Sequence, residues 1–245
     1  GMATNIPPHN LREVAKALAE LVKNPDCTID DLLQHVKGPD FPTGGYICGE
    51  AGIREAYQTG RGRVVMRAKV QIEENERTGR NALIITELPY QVNKANLHAN
   101  IAELAIAKKI EGISGVRDES DREGMRLVVE LKRDAMAQVV LNQLYKHTSM
   151  QSTFGVINLA LINGAPKVMT LKEILGHFIE HRHQVIVRRT EFDLAEAKKR
   201  EHILEGLKIA VDNIDEVIAI IRSSADTPEA DARLRERFAL SEAQA

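Results

Sequence analysis

The segment Asn5–Asn10, with the sequence Asn-Ile-Pro-Pro-His-Asn, presents one bulky aliphatic side chain on a backbone that two prolines stiffen. Pro7 disfavours the helical region for Ile6, so that Ile6 is extended, and the prolines restrict their own φ angles and lack amide donors. Ile6 could therefore act as a wedge between base steps of a bent duplex, with Asn5, His9 and Asn10 contacting phosphates. The alternative is a proline-led turn in which Ile6 packs as a staple against a helix.

A row of cations gives a second candidate contact to nucleic acid. In a strand predicted over residues 63–73, alternation places Val64, Met66, Ala68, Val70 and Ile72 on one face and Arg61, Arg63, Arg67 and Lys69 on the other. Side chains on one face repeat about every 6.6 Å, near the roughly 7 Å between phosphates of one strand, so the row could follow a phosphate backbone without reading sequence. An ordinary solvated face is the alternative. Gly60 and Gly62 would leave room for a phosphate beside Arg61.

Other polar residues are weaker candidates. Asn93 is a suitable N-cap after the turn at Leu88–Val92, and because helix N-termini attract anions, Asn93 and Lys94 could contact phosphate or simply cap the helix. The acids of segment 117–121 are flanked by arginines, which favours a polar loop over a metal site. His177 and His181 have a spacing that can hold zinc, but no convincing further ligand accompanies them. We therefore expect no metal site.

Composition favours a folded, water-soluble and cytoplasmic protein. With 245 residues, of which 43% are hydrophobic, the chain can form a substantial core. Two cysteines are too few for a disulfide framework, and the sequence shows neither an apolar run of about 18 residues nor a signal peptide. The net charge of −2 argues against nucleic-acid binding only when all charges are added together. The row at 61–69 is locally basic, whereas the acids lie mainly at 73–76, 118–123 and the C-terminal end.

The elements that must position these residues form two regions of different structure, which join near Pro166. Before it, helical and alternating segments separated by Gly and Pro predict an α/β (α+β) domain with a mixed or antiparallel sheet and flanking helices. The predicted helices are 10–23, 29–36, 52–58, 94–109 and 135–147. The predicted strands are 63–73, 82–87, 114–118, 125–131 and 152–161, with a hairpin turn at 75–80.

After Pro166, an almost unbroken helical pattern extends from Leu171 to about Arg222. Some fifty residues at 1.5 Å each would give a helix on the order of 75 Å, too long for a compact domain. Its apolar residues form a coiled-coil-like stripe, which requires a partner. The segment Asp226–Pro228 ends the pattern, and the chain finishes on a helix-forming stretch with no stop signal. We therefore expect residues 1–166 to form one domain and residues 167–245 a truncated coiled-coil arm with short helices.

Five motifs, in order along the chain, carry a family resemblance. They resemble the A subunit of bacterial type IIA topoisomerases, the family that includes the A subunits of DNA gyrase and topoisomerase IV, with residues 5 and 90–94 closer to the gyrase branch. The resemblance spans the chain and implies the tower domain and the outgoing helix of the coiled-coil arm. The motifs are residues 1–11, 38–43, 59–63, 88–94 and 117–121.

The resemblance also implies how the chain functions. In the family the DNA-cleaving tyrosine precedes the first of these motifs, so Tyr46, Tyr57, Tyr90 and Tyr145 do not match it, and the chain alone should be inactive. The whole enzyme passes one duplex through a transient break in another, and gyrase introduces negative supercoils with ATP. ATP and Mg²⁺ would be used through the partner subunit.

The implied partners are double-stranded DNA, the gyrase B subunit, and a second copy of the A subunit, in an A2B2 assembly associated with the cytoplasmic nucleoid and not with a membrane. Two alternatives are a topoisomerase IV A subunit, which performs decatenation, and a non-enzymatic architectural DNA-binding protein.

Overall fold

A computed structural model describes residues 1–75 and 79–245 and divides them into two compact units, Gly1–Ile179 and Glu180–Ala245. The first unit contains helices α1 (Leu11–Lys23), α2 (Ile29–Leu33), α3 (Ala51–Thr59), α4 (Lys94–Ile106) and α5 (Ala137–His147). Helix α6 (Leu171–Asp212) begins in the first unit and ends in the second, which also holds α7 (Ile214–Ser223) and α8 (Thr227–Phe238).

All three sheets of the described chain are antiparallel and lie in the first unit. The first has the order β1 (Tyr46–Ile47), β2 (Arg61–Arg67), β7 (Gln151–Ile157). The second has the order β3 (Lys69–Asn75), β4 (Arg80–Glu87), β6 (Leu127–Leu131), β5 (Ile113–Asp118). The hairpin β8 (Leu159–Ile162) and β9 (Ala165–Val168) forms the third, with Pro166 inside β9. The predicted fold class, a mixed α/β region with antiparallel sheets and flanking helices followed by a long helix, is confirmed.

The predicted strand 63–73 is wrong as a single element, because the chain changes sheets at Ala68. Ala68 is fully buried and its amide donates to the carbonyl of Met150 (2.8 Å), which ends β2 and starts β3 in the other sheet. The alternation holds within β2, where Val64 and Met66 are buried and the arginines exposed, but Ile72 in β3 is 48% exposed instead of lying in the core row. Lys69 is consequently not in the same sheet as the arginines.

Two other predicted elements are also divided. Predicted strand 152–161 is β7 and β8, separated by Asn158, whose amide donates to the Gly60 carbonyl (2.8 Å). The predicted helix 171–222 is α6 and α7, because Asn213 leaves helical geometry and its side-chain amide donates to the Ile209 carbonyl (2.9 Å). Strands β3 and β4 pair as the predicted hairpin, but residues 76–78 of its turn lie outside the described part of the chain.

The second unit has its own small core and an exposed apolar face. Val217 of α7 packs with Leu234 of α8 and with Leu240. On α6, Phe192 and Leu194 are more than half exposed, as expected for a stripe that needs a partner. No helix among residues 1–75 and 79–245 is long and apolar enough to cross a membrane.

The first unit has two hydrophobic cores, one on each large sheet. Helices α4 and α5 cover the four-stranded sheet, and α1 to α3 cover the three-stranded sheet. Helix α3 approaches β2 closely because both carry glycine at the contact: a Cβ on Gly52 would lie 1.9 Å from the Arg63 carbonyl oxygen, and one on Gly62 would lie 2.5 Å from the Gly52 carbonyl oxygen. Gly62 thus serves helix packing, and Gly60 (φ +77°) caps α3 against the Met169 backbone. Neither glycine was predicted to have this role.

We expect Gly52→Ala to lower the free energy of unfolding by at least about 2 kcal/mol, because the new methyl group would overlap backbone atoms that cannot rotate away. Gly155→Ala on β7 is the matched control, since its Cβ would meet open space. Its free energy of unfolding should differ from the parent by no more than about 1 kcal/mol. Chemical denaturation of both variants measures the difference, and equal stabilities would show that α3 can move away from β2.

Candidate nucleic-acid interface

The N-terminal side of the Ile6 segment is held by β7. The backbone of Asn5 exchanges two hydrogen bonds with Ile157 (2.9 and 3.0 Å), and its side-chain amide donates to the Gly155 carbonyl (2.7 Å). The Thr4 hydroxyl donates to the Leu159 carbonyl (2.7 Å). Residues 4 and 5 therefore extend the three-stranded sheet by one short, extended segment.

The C-terminal side of the segment is held by the loop before β1 and by α3. The Asp40 amide donates to the Pro8 carbonyl (2.9 Å), and His9 Nε2 lies 2.6 Å from the Tyr57 hydroxyl. Asn10 caps α1 by accepting from the Arg12 amide (3.0 Å), and its amide group donates to Asp40 Oδ2 (3.1 Å). Side chains of the segment thus fix its own conformation, and contact of Asn5, His9 and Asn10 with DNA stays a prediction.

Ile6 lies between these two attachments and is 49% exposed, whereas Pro7 is buried. A staple would require Ile6 to be buried against α1. The exposure favours the wedge interpretation, because the side chain is accessible while the backbone on both sides is fixed. An aliphatic group presented in this way can enter an apolar environment such as an opened base step.

The arginine row lies on the same sheet as Ile6. In the register of β2 and β7, Arg61 is opposite Ile157 and Arg63 is opposite Gly155. Since Asn5 pairs with Ile157 from the other side, the backbones of Asn5 and Arg61 are two strand spacings apart, about 10 Å. Gly155 is exposed and has no side chain, so it leaves the strip beside Arg63 uncovered. Tertiary structure therefore places the segment that carries Ile6 on the same sheet as cations that are distant from it in sequence.

The four cations of the predicted row differ in their partners. Arg61 and Arg63 are exposed and form no ion pair within residues 1–75 and 79–245. Arg67 donates to Gln151 Oε1 (2.6 Å) and lies 5.1 Å from the centre of the Tyr145 ring. Lys69 Nζ is 3.0 Å from Glu87 Oε1, and this hydrogen bond raises the pKa of Lys69. Arg61 and Arg63 are consequently the cations most available to a phosphate.

Asn93 and Lys94 belong to the other large sheet through α4, which packs on β5. Asn93 is the N-cap of α4, and its side chain accepts from the Asn96 amide (3.0 Å). Lys94 Nζ is 2.7 Å from Asp118 Oδ2, and hydrogen bonds from Lys94 and Ser120 lower the pKa of Asp118 to about 2. The capping alternative is thus present in the structure, and phosphate contact by these two residues stays a prediction.

Arginines hold Glu119 of segment 117–121 and two acids near it, whereas Asp118 of the same segment pairs with Lys94. Arg117 contacts Glu119 (3.0 Å) and Glu130 (3.1 Å), and Arg126 contacts Glu73 (2.8 Å) and Glu119 (3.2 Å). In the described part of the chain, no three His, Cys, Asp or Glu side chains are grouped so that they could hold a metal ion.

The residues that hold the predicted site carry no distinctive signal in the sequence. In the sequence, Tyr57 resembles one more apolar residue of α3. Gly155 resembles an ordinary strand glycine, and Asp40 resembles part of a turn. Their partners lie between 30 and 150 residues away along the chain. No local pattern encodes such contacts, although the proline-rich segment itself indicated that something must hold it.

The family model for the A subunit of DNA gyrase/topoisomerase IV matches residues 1–245. The chain is 58% identical over 245 residues to the DNA gyrase A subunit of Clostridium acetobutylicum, covering 100% of this chain and 29% of that protein. It is 57% identical over 244 residues to the DNA gyrase A subunit of Campylobacter fetus, covering 100% of this chain and 28% of that protein. The chain thus spans less than a third of the length of these relatives. With the whole chain matched at this identity, it belongs to the family of DNA gyrase/topoisomerase IV A subunits.

Proposed function

We propose that this chain is the DNA-binding and DNA-bending part of a DNA gyrase A subunit, and thus of a type IIA topoisomerase. The observation that carries the proposal is the exposed Ile6 on a fixed backbone, one strand away from β7 and on the same sheet as the arginines of β2. The names of the relatives support gyrase over topoisomerase IV. The whole enzyme would pass one duplex through a transient double-strand break and introduce negative supercoils with ATP.

Bending by this surface combines an energetic cost with an electrostatic gain. Insertion of Ile6 into a base step costs a few kcal/mol of unstacking. Phosphates that approach Arg61 and Arg63 release counterions, and this gain offsets the cost. A duplex that is kinked at Ile6 would turn its flanking phosphates toward these arginines, which lie on the same sheet. The curvature would present the scissile phosphates to the cleaving tyrosine.

The remaining parts of the reaction would come from other regions and partners. We propose an A2B2 assembly that contains two A subunits and two gyrase B subunits, in which ATP and Mg²⁺ are used through the B subunit. None of the tyrosines of this chain is proposed as the nucleophile. Tyr57 is buried and bound to His9, and Tyr145 donates to the Ala68 carbonyl (3.1 Å).

The isolated chain should form no covalent adduct with DNA, because an adduct requires an activated tyrosine hydroxyl. Incubation with supercoiled plasmid, Mg²⁺, ATP and purified B subunit, followed by denaturation, measures protein that remains attached to DNA. A full-length A subunit is the positive control. An adduct formed by the isolated chain would assign the nucleophile to one of its own tyrosines.

We expect Arg63→Ala in the full-length A subunit to weaken binding to duplexes of any sequence. The slope of log binding constant against log salt concentration should decrease by about 0.9, the value for one lost phosphate contact. Titrations at several salt concentrations give this slope. Arg133→Ala, which removes an exposed cation from the loop before α5, is the matched control.

Lys69→Ala provides a comparison within the predicted row. Its effect on the slope should be smaller than that of Arg63→Ala, because Glu87 already compensates the ammonium charge. If Arg63→Ala and Arg133→Ala give the parent slope, the arginine face is only solvated and the electrostatic half of the proposal is wrong.

We expect Ile6→Ala in the full-length enzyme to reduce DNA bending, cleavage and strand passage together, because an alanine methyl is too short to open a base step. The thermal melting temperature should remain close to that of the parent, since half-exposed Ile6 contributes little to the core. Bending is measured by fluorescence transfer across a labelled duplex. Val22→Ala, at a 63% exposed position of α1, controls for the loss of surface apolar area.

The staple alternative predicts the opposite pattern for Ile6→Ala. A buried staple would cost about 2 to 5 kcal/mol of stability on truncation. A lowered melting temperature, with normal bending in the protein that remains folded, would refute the wedge.

A further inference from the structure

Tyr57 is the buried group that lies next to the wedge segment and has no role in the function proposed above. Its side chain is 1% exposed, yet its hydroxyl is a polar atom that must be satisfied. The hydroxyl lies 2.6 Å from His9 Nε2, and the two ring centres are 5.6 Å apart. This contact joins α3 to the segment 48 residues earlier in the chain.

The backbone continues the connection from His9 toward Ile6. Only Pro7 and Pro8 lie between the two residues, and because proline restricts its own φ angle, a fixed His9 limits the positions that Ile6 can take. Burial lowers the pKa of His9 and raises the pKa of Tyr57, so both groups are neutral at pH 7.

Helix α3 also contacts the strand that carries the arginines. Gly52 of α3 meets the backbone of Arg63 so closely that a Cβ would lie 1.9 Å from its carbonyl oxygen. Five residues later along the same helix, Tyr57 holds His9. One short helix therefore touches both the strand of the proposed phosphate contacts and the segment of the proposed wedge.

We propose that Tyr57 is a positioning residue for DNA bending: by holding His9 it fixes the C-terminal end of the stiff two-proline segment and so keeps Ile6 in the orientation that enters a base step. This inference rests on the proposed function of Ile6. On the N-terminal side of Ile6, the Asn5 carbonyl accepts from the Ile157 amide (3.0 Å), which ties the Asn5–Ile6 peptide to β7. On the C-terminal side, the Asp40 amide holds the Pro8 carbonyl (2.9 Å) and the Tyr57 hydroxyl holds the His9 ring (2.6 Å), so His9 is the side chain through which α3 reaches the segment. Loss of the Tyr57 hydroxyl should loosen the C-terminal side of the segment while the arginine face stays in place.

The test compares Tyr57→Phe, Ile6→Ala and the double variant in the full-length A subunit when it is assembled with the gyrase B subunit. Fluorescence transfer across a doubly labelled duplex, at saturating protein, gives the ratio of bent to straight DNA. Tyr57→Phe should lower this ratio roughly two- to tenfold, the effect of one net hydrogen bond. The salt slope of DNA binding should stay at the parent value. Tyr90→Phe is the matched control and should leave the ratio unchanged, since the Tyr90 ring stacks on Phe41 and lies tilted against Phe154.

The double variant separates positioning from a general structural role. If Tyr57 acts through Ile6, the double variant bends DNA as poorly as Ile6→Ala alone, whereas independent effects would multiply.

His9→Phe removes the same bond from the other side, and an equal loss of bending would support the proposal if Tyr57→Phe does not fold. Normal bending by Tyr57→Phe beside impaired Ile6→Ala, or multiplied losses in the double variant, would overturn the role of Tyr57 alone. Normal bending by Ile6→Ala would overturn the wedge itself.

Discussion

The structure of the proposed interface depends on the antiparallel pairing of β7 with two neighbours at once. On one edge, β7 pairs with β2 through its whole length, from Arg61 opposite Ile157 to Arg67 opposite Gln151. On the other edge, Ile157 pairs with Asn5. Side-chain positions along a strand have a period of two, so this register decides that the arginines face outward while Val64 and Met66 enter the core. A shift of one residue would bury the cations.

The close contact between α3 and β2 turns this sheet into a rigid support. Glycines at 52 and 62 allow backbone to meet backbone, so little side-chain freedom remains between the helix and the strand. Close-packed contacts of this kind transmit strain instead of absorbing it. A wedge that opens base steps needs such support, because the force that separates two bases acts equally on the protein segment that carries the wedge.

Electrostatic contacts distinguish Arg61 and Arg63 from several other cations of the first unit. Lys69, Lys94, Arg117 and Arg126 each have a carboxylate within hydrogen-bonding distance and lie in or beside the four-stranded sheet. Arg61 and Arg63 lie on the three-stranded sheet and have no such partner among the described residues. Exposed pairs contribute little to stability, but they neutralise charge locally. A protein with a net charge of −2 can therefore keep a positive strip on one sheet.

Local sequence determined much of this protein. Capping residues and apolar periodicity placed the start of α1, α2 and α4, and the alternation of residues 61–67 predicted which arginines face outward. Stiff prolines identified Ile6 as a presented side chain, because proline restricts its own φ and the residue before it. These features depend on neighbours in the chain, which a sequence displays directly.

Tertiary structure decided what lies between these elements. The chain changes sheets at Ala68 because that amide pairs with Met150, and Tyr57 meets His9 because α3 packs under the sheet. Both contacts join residues that are far apart in sequence. The alternation of apolar and polar residues continues through Ala68, so the sequence does not show that the strand ends there. Periodicity indicates which side of an element is buried, but it does not identify the element that packs against that side. Only the folded chain could therefore show that Ile6, Arg61 and Arg63 lie on one sheet.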